Sequence, residues 1–311
     1  MLTVAAYLKG IPPRNKNPEK PQLLYNIIEG INRCGDRGIL VNDYTPIDTD
    51  VGVIQGFVHA NSKNSPHLNL RKNVVKQQSN NNKRSLIADS NLFLSYDPKN
   101  TKEYLRYSYD GIFPTTGEYC NDTPNPSRWA QISKDLGIRL RPWYCKGDMI
   151  LITCQRDGGW SMGGQPLLPW LADTIKQIRK YSDRKILIRF HPGDKKAKDH
   201  ARYVVQMKWT NVIVSRQLTL VEDLKYAHVL ISYNSSPAVV AGIEGTPIIV
   251  LDPENSQARD ISIHDLSQIE NVKNFDFDRE LWIQKIAQMH WNQEELKDGT
   301  AWKHLRNWVV K

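Results

Sequence analysis

The stretch from Val229 to Asp252, VLISYNSSPAVVAGIEGTPIIVLD, constrains the fold more than any other part of this chain. An apolar run is followed by a small polar turn, then by a short helical pattern and a second apolar strand. This order predicts a β-turn-α-turn-β unit. Ser235 or Ser236 is placed to cap the helix, with Pro237 at its first position. Such a helix N-terminus attracts a phosphate, although an ordinary serine cap without a ligand explains the same residues.

A second group of polar residues ends the preceding strand, in KILIRFHPGDKK at residues 185–196. It contains Arg189, His191, Pro192 and Lys195. In open α/β sheets, ligands bind beyond the carboxyl ends of the strands. Two neighbouring strands therefore direct a histidine, cations and a serine-capped helix to one place, which predicts a phosphate-binding site. A plain strand-end histidine is the alternative.

The two signatures, RFHPGDKK and S-x-N-S-S followed by G-T-P-I-I-V, resemble the donor-site motifs of GT-B glycosyltransferases related to the capsule-polysaccharide transferases of Kdo and sialic acid. In that family the His-Pro turn and the Ser-Ser turn hold the phosphate and nucleotide of an activated sugar. The resemblance spans roughly residues 149–260. The donor contacts predicted from it and from its turns are His191, Pro192, Asn234, Ser235 and Ser236. Val240 stands where the family often has a glutamate, so the donor sugar is not carried over.

A polar turn, QRDGGWSMGGQPLLP, follows the first strand of the second half of the chain. It matches neither G-x-G-x-x-G nor the P-loop pattern, because no Lys-Ser/Thr pair ends it. The resemblance implies that backbone at this position approaches the donor phosphates. We therefore add Arg156, Gly158 and Gly159 to the donor-binding candidates, with Arg189 and Lys195 as further cations. A flexible interdomain turn is the alternative.

The length of the chain, 311 residues, exceeds the about 250 to 300 at which a single core usually divides. We expect two domains, residues 1–146 and 147–311. The strand-helix-strand order at the start indicates an α/β sheet. The GT-B resemblance implies two Rossmann-like domains, a cleft between them and a C-terminal helix that crosses back. Without a long apolar run, a basic leader or a Cys-x-x-Cys pair, we expect a cytoplasmic protein with reduced cysteines and no membrane span, and favour a monomer.

Positive charge is concentrated in the first domain. Residues 1–146 carry 20 Lys and Arg against 13 Asp and Glu, whereas residues 147–311 carry 22 against 20. Such asymmetry predicts either contact with a polyanion or an ordinary solvated surface. The segment 71–84, RKNVVKQQSNNNKR, is predicted first to be a flexible surface segment and second to be a loop that contacts phosphates, and the two interpretations overlap. The acceptor-binding candidates are its cations Arg71, Lys72, Lys76, Lys83 and Arg84, together with Tyr107 and Tyr109 from the following aromatic segment. For these tyrosines the alternative is a structured loop that buries their rings against the first domain.

Glycosyl transfer needs charge stabilisation for the departing phosphate and, where configuration inverts, a base for the acceptor hydroxyl. His191 and the helix N-terminus are assigned to the phosphate, so we expect no metal cofactor. Asp89, at the end of a strand, is the first candidate for the base and Asp110 the second. A helix cap at Asp89 is the alternative, and a retaining enzyme needs no such base. The Asp-x-Asp at residues 48–50 is typical of metal-dependent GT-A enzymes, but it precedes a strand.

The tail WNQEELKDGTAWKHL resembles bacteriophage glycosyltransferase-like proteins. Together with the basic first domain, this resemblance implies a phage enzyme of the host cytoplasm. It would move a sugar from a UDP-sugar to 5-hydroxymethylcytosine in DNA. One alternative is a capsule or lipopolysaccharide transferase that uses a CMP-sugar, and another is a DNA-binding protein without enzymatic activity. The sequence specifies neither the sugar, glucose or arabinose for example, nor the stereochemistry.

Overall fold

The structure is a computed structural model that describes residues 1–9, 19–57, 64–143 and 147–309. In these residues the strands are β1 (Thr3–Tyr7), β2 (Arg37–Val41), β3 (Val51–Gln55), β4 (Arg84–Asp89), β5 (Leu105–Tyr109), β6 (Met149–Thr153), β7 (Ile186–Arg189), β8 (Val212–Val214), β9 (Ala227–Ser232), β10 (Ile248–Val250) and β11 (His290–Trp291). The helices are α1 (Glu19–Arg33), α2 (Pro66–Asn80), α3 (Pro126–Leu136), α4 (Leu167–Ile178), α5 (Ala197–Met207), α6 (Leu220–Leu224), α7 (Pro237–Glu244), α8 (Arg279–Gln288), α9 (Gln293–Lys297) and α10 (Thr300–Leu305).

The chain divides into two units. Unit 1 is Met1–Leu136 with Gln284–Lys311, and unit 2 is Gly137–Ile283. The division falls before the expected boundary at residue 146, and the C-terminal segment belongs to unit 1. The cause is its packing: β11 pairs with β5, and α9 and α10 lie against α1.

Unit 1 is a six-stranded sheet in the order β11-β5-β4-β3-β1-β2. Strands β1 to β4 are parallel, β5 runs antiparallel to β4, and β11 runs antiparallel to β5. Successive side chains point to opposite faces of a strand. Val4, Val53 and Leu86 accordingly enter the core shared with α1 and the C-terminal segment. Ala5, Ile54 and Ile87 enter a second core with Leu70 and Val74 of α2. Both faces of the sheet are thus covered, as in a Rossmann-like unit.

Unit 2 is a five-stranded parallel sheet in the order β10-β9-β6-β7-β8. Counted within the unit, this is the doubly wound order of a Rossmann fold. Its strands read as apolar runs, because a parallel sheet is buried on both faces. Ile150, Ile152 and Ile231 form one core with α4. The predicted α/β class with two Rossmann-like units is therefore confirmed.

Two segments differ from their predicted structure. The segment 71–84 is not a loop: most of it belongs to α2, which begins at Pro66 and buries Leu70, Val74 and Gln78 at four-residue spacing. The tyrosine-rich segment contains β5, where the rings of Tyr107 and Tyr109 are 0% exposed. In both cases tertiary packing overrides a polar or turn-rich composition. Cys34, Cys120 and Cys154 are free thiols, and Cys145 lies outside the described residues.

Candidate functional site

The carboxyl edge of the unit 2 sheet brings three predicted motifs together. Strand β6 lies between β7 and β9, and Thr153 is level with Arg189 on one side and with Ser232 on the other. The chain leaves β6 toward β7 and later returns on the opposite side to β9. This change of direction is the switch point at which α/β sheets bind ligands. The loops after β6, β7 and β9 meet there.

The turn after β7 holds His191 in a defined orientation. Its Nδ1 accepts the backbone N–H of Gly193 at 2.9 Å. In the neutral ring the proton is therefore on Nε2, which leaves one N–H donor for a ligand. Burial lowers the pKa of His191, and the neighbouring Arg156 lowers it further against the opposing effect of Asp194. His191 is thus an uncharged donor at neutral pH.

The loop after β6 places Arg156 against the same turn. A Cβ built on Gly193 would lie 2.8 Å from Arg156 Nη2 and 3.1 Å from His191 Cε1. The missing side chain of Gly193 is what allows the guanidinium and the imidazole to share this position. Gly158 follows with a left-handed φ of +62°, and the Gly159 N–H closes the turn on the Arg156 carbonyl at 3.0 Å. Glycine fits this conformation because it has no Cβ.

Asn234 joins the loops of the site. Its side-chain oxygen accepts from Gln155 Nε2 at 2.9 Å, and its amide donates to Asp252 at 2.8 Å and to the Ser161 carbonyl at 2.9 Å. With only 9% of its surface exposed, Asn234 holds the β6, β9 and β10 loops together. Asn234 therefore positions these loops, in addition to its predicted contact with the donor.

The two serines of the β9 turn have different surroundings. The Ser235 hydroxyl is bonded to Ser232 Oγ at 2.8 Å, so it stabilises the turn. Ser236 is exposed at the N-cap of α7, and its side chain makes no capping bond. Pro237 follows at the first position of the helix. The Ser236 hydroxyl therefore stands with the positive end of the α7 dipole, where an anion is stabilised.

Arg189 does not fit its predicted role in donor binding. Its guanidinium pairs with the buried Asp223 at 2.6 Å and donates to the carbonyls of Gln217 and Leu218. All of these contacts are structural, since they fix the segment between β8 and α6. Lys195 and Pro192 are exposed in the turn after β7 and stay predicted donor contacts.

A further set of polar contacts was not predicted from the sequence. The Asp157 N–H donates to Asp194 at 3.3 Å, and Lys196 pairs with the Asp157 carboxylate at 2.7 Å. These bonds tie the Arg156 loop to the His191 turn. In the sequence, only the opposite charges in RDGG and GDKK indicate these contacts. They could not be predicted from the sequence, because the pairing depends on β6 and β7 being neighbours.

The two candidate bases lie at opposite edges of the unit 1 sheet. Asp89 ends β4 at its carboxyl edge and forms an ion pair with Arg106. Asp110 follows the antiparallel β5, so it lies at the amino edge, where it accepts the Ser85 N–H at 2.8 Å and pairs with Arg84 at 2.5 Å. Because ligands bind at the carboxyl edge, Asp110 is a structural residue and its candidacy is corrected. Asp89 stays a prediction.

The predicted acceptor-binding residues are also divided. Tyr107 and Tyr109 are buried, so neither can stack on an acceptor base, which corrects that prediction. Lys83 pairs with Asp48 at 2.7 Å and Arg84 with Asp110, both at the amino edge of the sheet. Arg71, Lys72 and Lys76 lie on α2, and they remain the acceptor-binding candidates.

The Asp-x-Asp motif has structural partners. Asp48 is bonded to Lys83, and Asp50 accepts the Thr3 N–H at 2.7 Å. Within the described ranges no three His, Cys, Asp or Glu side chains are grouped to hold a metal ion. Independence from metal stays a prediction.

In the same ranges no helix is both long and apolar enough to cross a membrane.

The two units together have the GT-B fold. The KpsC β-Kdo 2,4 transferase of Thermosulfurimonas dismutans superposes with a TM-score of 0.53 at 12% identity, over 92% of this chain and 89% of that chain. This likeness shows the fold. The KpsC β-Kdo 2,7 transferase of the same organism gives a TM-score of 0.48 at 10% identity, over 96% and 98% of the two chains. The UDP-GlcNAc 2-epimerase of Methanocaldococcus jannaschii, solved with UDP-GlcNAc and UDP, gives 0.36 at 10% identity, over 99% and 100%. No protein-family model and no curated protein matches the chain.

Proposed function

We propose that this protein is a glycosyltransferase that moves a sugar from a nucleotide-activated donor to an acceptor hydroxyl. The observation that carries the proposal is the carboxyl edge of β6, β7 and β9, where Arg156, His191 and Ser236 stand on three adjacent loops. A cation, a neutral N–H donor and a helix N-terminus are the groups that stabilise a departing phosphate. The T. dismutans structure that shares this fold bears the name of a β-Kdo 2,4 transferase, which agrees with the proposal.

In the proposed reaction the bond between the sugar carbon and the phosphate oxygen breaks, and a bond from that carbon to the acceptor oxygen forms. Negative charge grows on the phosphate. His191 Nε2–H, the Arg156 guanidinium and the N-terminus of α7 receive it. If configuration inverts, the acceptor proton passes to a carboxylate, for which Asp89 is the predicted residue.

As acceptor we propose a glycan, with a CMP-sugar as the donor, as in capsule or lipopolysaccharide synthesis; the Kdo transferase that shares this fold supports this choice. The 5-hydroxymethylcytosine acceptor in phage DNA, with a UDP-sugar donor, is the second candidate. The exposed Lys76 and the charge balance of the first half of the chain support it. Against it stand the burial of Tyr107 and Tyr109 and the pairing of Lys83 and Arg84, since base stacking and phosphate contact need accessible groups.

Substitution at the site tests the donor assignment. We expect His191→Ala, Arg156→Gln and Ser236→Ala each to weaken CMP or UDP binding by about tenfold, or about 1.4 kcal/mol. Calorimetric titration with each nucleotide measures this loss. Arg202→Gln is the matched control, because Arg202 is exposed and its one ion pair among the described residues is with Asp199 on the same helix. Equal affinity in the three site variants and the control contradicts the proposed site.

The acceptor is tested by product formation. The protein is incubated with hydroxymethylcytosine DNA and a panel of UDP-sugars, and separately with an acidic oligosaccharide and CMP-sugars. Release of UDP with the DNA identifies the phage-type reaction, whereas transfer from a CMP-sugar identifies the glycan reaction. DNA binding that weakens steeply with salt, without turnover of any donor, instead identifies a DNA-binding protein.

A further inference from the structure

Three neighbouring residues, Gly56 after β3, Asp89 on β4 and Arg106 on β5, form a row at the carboxyl edge of the unit 1 sheet. In the register of β3, β4 and β5, Gln55 lies beside Ala88 and Asp89 beside Arg106. Gly56 comes next to Asp89, and its N–H donates to the Ala88 carbonyl at 2.7 Å. Two residues before Asp89 on β4, Ile87 packs under α2. The side chain of Asp89 therefore projects on the α2 side of the sheet.

Arg71 reaches this row from α2. Its Nη1 lies 3.3 Å from the position that a Cβ on Gly56 would take. The side chain is partly buried, and burial lowers the pKa of its guanidinium. Gly56 has a left-handed φ of +76°, and a Cβ placed on it would have no other described atom within 4 Å, so no described residue fills the space between Gly56 and this guanidinium.

Arg71 differs from the other shielded arginines of unit 1 in having no counter-ion among the described residues. Arg84, Arg106 and Arg128 each pair with a carboxylate. Arg71 has neither an ion pair nor a hydrogen bond with any residue that the structure describes. Asp89 is already bonded to Arg106, so the row keeps one uncompensated positive charge. A partly buried charge without a partner is costly in the free protein, and a bound anion removes that cost.

We propose that Arg71 binds a single oxyanion carried by the sugar acceptor, next to the acceptor hydroxyl at Asp89. The proposal rests on the proposed function and narrows it to an acidic sugar acceptor. One guanidinium fixes one carboxylate or phosphate, often through two parallel hydrogen bonds. A nucleic-acid backbone needs a row of accessible cations, but Lys83 and Arg84 lie at the other edge of the sheet and are paired.

The test follows the Gly56 amide by NMR while glucuronate or inorganic phosphate is added to the full-length protein. This amide reports on the immediate surroundings of Gly56. We expect a saturable shift in the wild type, whose affinity falls by at least tenfold in Arg71→Met and by less in Arg71→Lys. The affinity should fall as the salt concentration rises, since salt screens the attraction between the guanidinium and the anion. A response to one probe alone identifies the oxyanion as carboxylate or phosphate.

Thermal stability supplies a second readout. Arg71→Met removes an uncompensated charge and keeps an apolar stem, so its unfolding midpoint should rise while probe binding is lost. Arg37→Met is the matched control, since Arg37 is exposed at the start of β2, and it should leave both quantities unchanged. An unshifted Gly56 amide in the wild type, undiminished binding in Arg71→Met, or a lowered midpoint overturns the proposal. Nucleotide affinity is measured separately. It tests the donor assignment independently of the outcome at Arg71.

Discussion

His191 and His290 are both shielded from solvent, and their hydrogen bonds give them different chemistry. His290 accepts the Leu92 N–H at Nε2 and is bonded to the Ile286 carbonyl through Nδ1, so both ring nitrogens are occupied. His191 has a bond only at Nδ1 among the described residues, which leaves Nε2–H for a ligand. The His-Pro motif identified His191 from the sequence. No local pattern separates His290 from a ligand, because the partner of its Nε2, Leu92, comes from a loop that is distant in sequence.

His290 predicts a loss of stability in mild acid. Burial lowers its pKa to about 3, against an ordinary value of 6.5. The unfolded chain therefore binds the proton first, and the contribution of His290 to stability is complete above pH 6.5 and is lost as the pH falls toward 3. We expect the free energy of unfolding to decrease by about 1.4 kcal/mol per pH unit in this range.

Urea unfolding at pH 7.5, 6.0 and 5.0 measures this effect. His290→Gln keeps a donor and an acceptor but does not titrate, so it should be less stable at pH 7.5 and should show a smaller loss on acidification. The same slope in the variant and the wild type would assign the acid sensitivity to other groups.

At the scale of elements, the strands of unit 2 could be predicted from the sequence. A parallel sheet is buried on both faces, so its strands are continuous apolar runs. The prediction for 71–84 missed α2 because its Asn, Gln and Ser residues outweighed the spacing of Leu70, Val74 and Gln78. The roles of Arg189 and Asp110 were not predictable from local patterns. They depend on which strand lies alongside and in which direction it runs, and this is decided by long-range pairing.

The turn after β7 provides a test of how two loops are fitted together. In Gly193→Ala the new methyl group meets the end of the Arg156 side chain, which has room to move, so the fold should persist. Displacement of the guanidinium should weaken nucleotide binding by about tenfold, or about 1.4 kcal/mol.

A double-mutant cycle measures whether this effect passes through Arg156. The Gly193→Ala substitution should have little further effect on nucleotide affinity in the Arg156→Gln protein, since the displaced group is already absent. Fully additive losses would instead assign the effect of Gly193→Ala to the His191 turn alone.

At the scale of the whole molecule, unit 1 is completed by the C-terminal segment. The Asp36 carboxylate accepts from the Leu2 N–H at 2.8 Å, from Trp302 Nε1 at 2.9 Å and from Arg306 Nε at 2.6 Å. One side chain thus joins the first strand to the last helices. Trp302 is fully buried in the same core. The GT-B resemblance implied a C-terminal helix that crosses back, whereas the junction of this segment with Asp36 follows only from the fold.

Removal of the Asp36 charge should therefore destabilise unit 1. Burial alone would raise the pKa of Asp36, but the hydrogen bonds from Arg306, Leu2 and Trp302 lower it to about 2, from an ordinary value of 3.8. The stabilising effect of the charge, about 2 kcal/mol, is present above pH 3.8 and is lost as the pH falls toward 2.

Asp36→Asn should lower the free energy of unfolding by about 1 to 3 kcal/mol at pH 7, since its amide meets two donors. Urea titrations with Asp43→Asn as an exposed control measure this, and the difference from the wild type should shrink below pH 4. A difference that persists unchanged at pH 2.5 would mean that the lost interaction is packing and not charge.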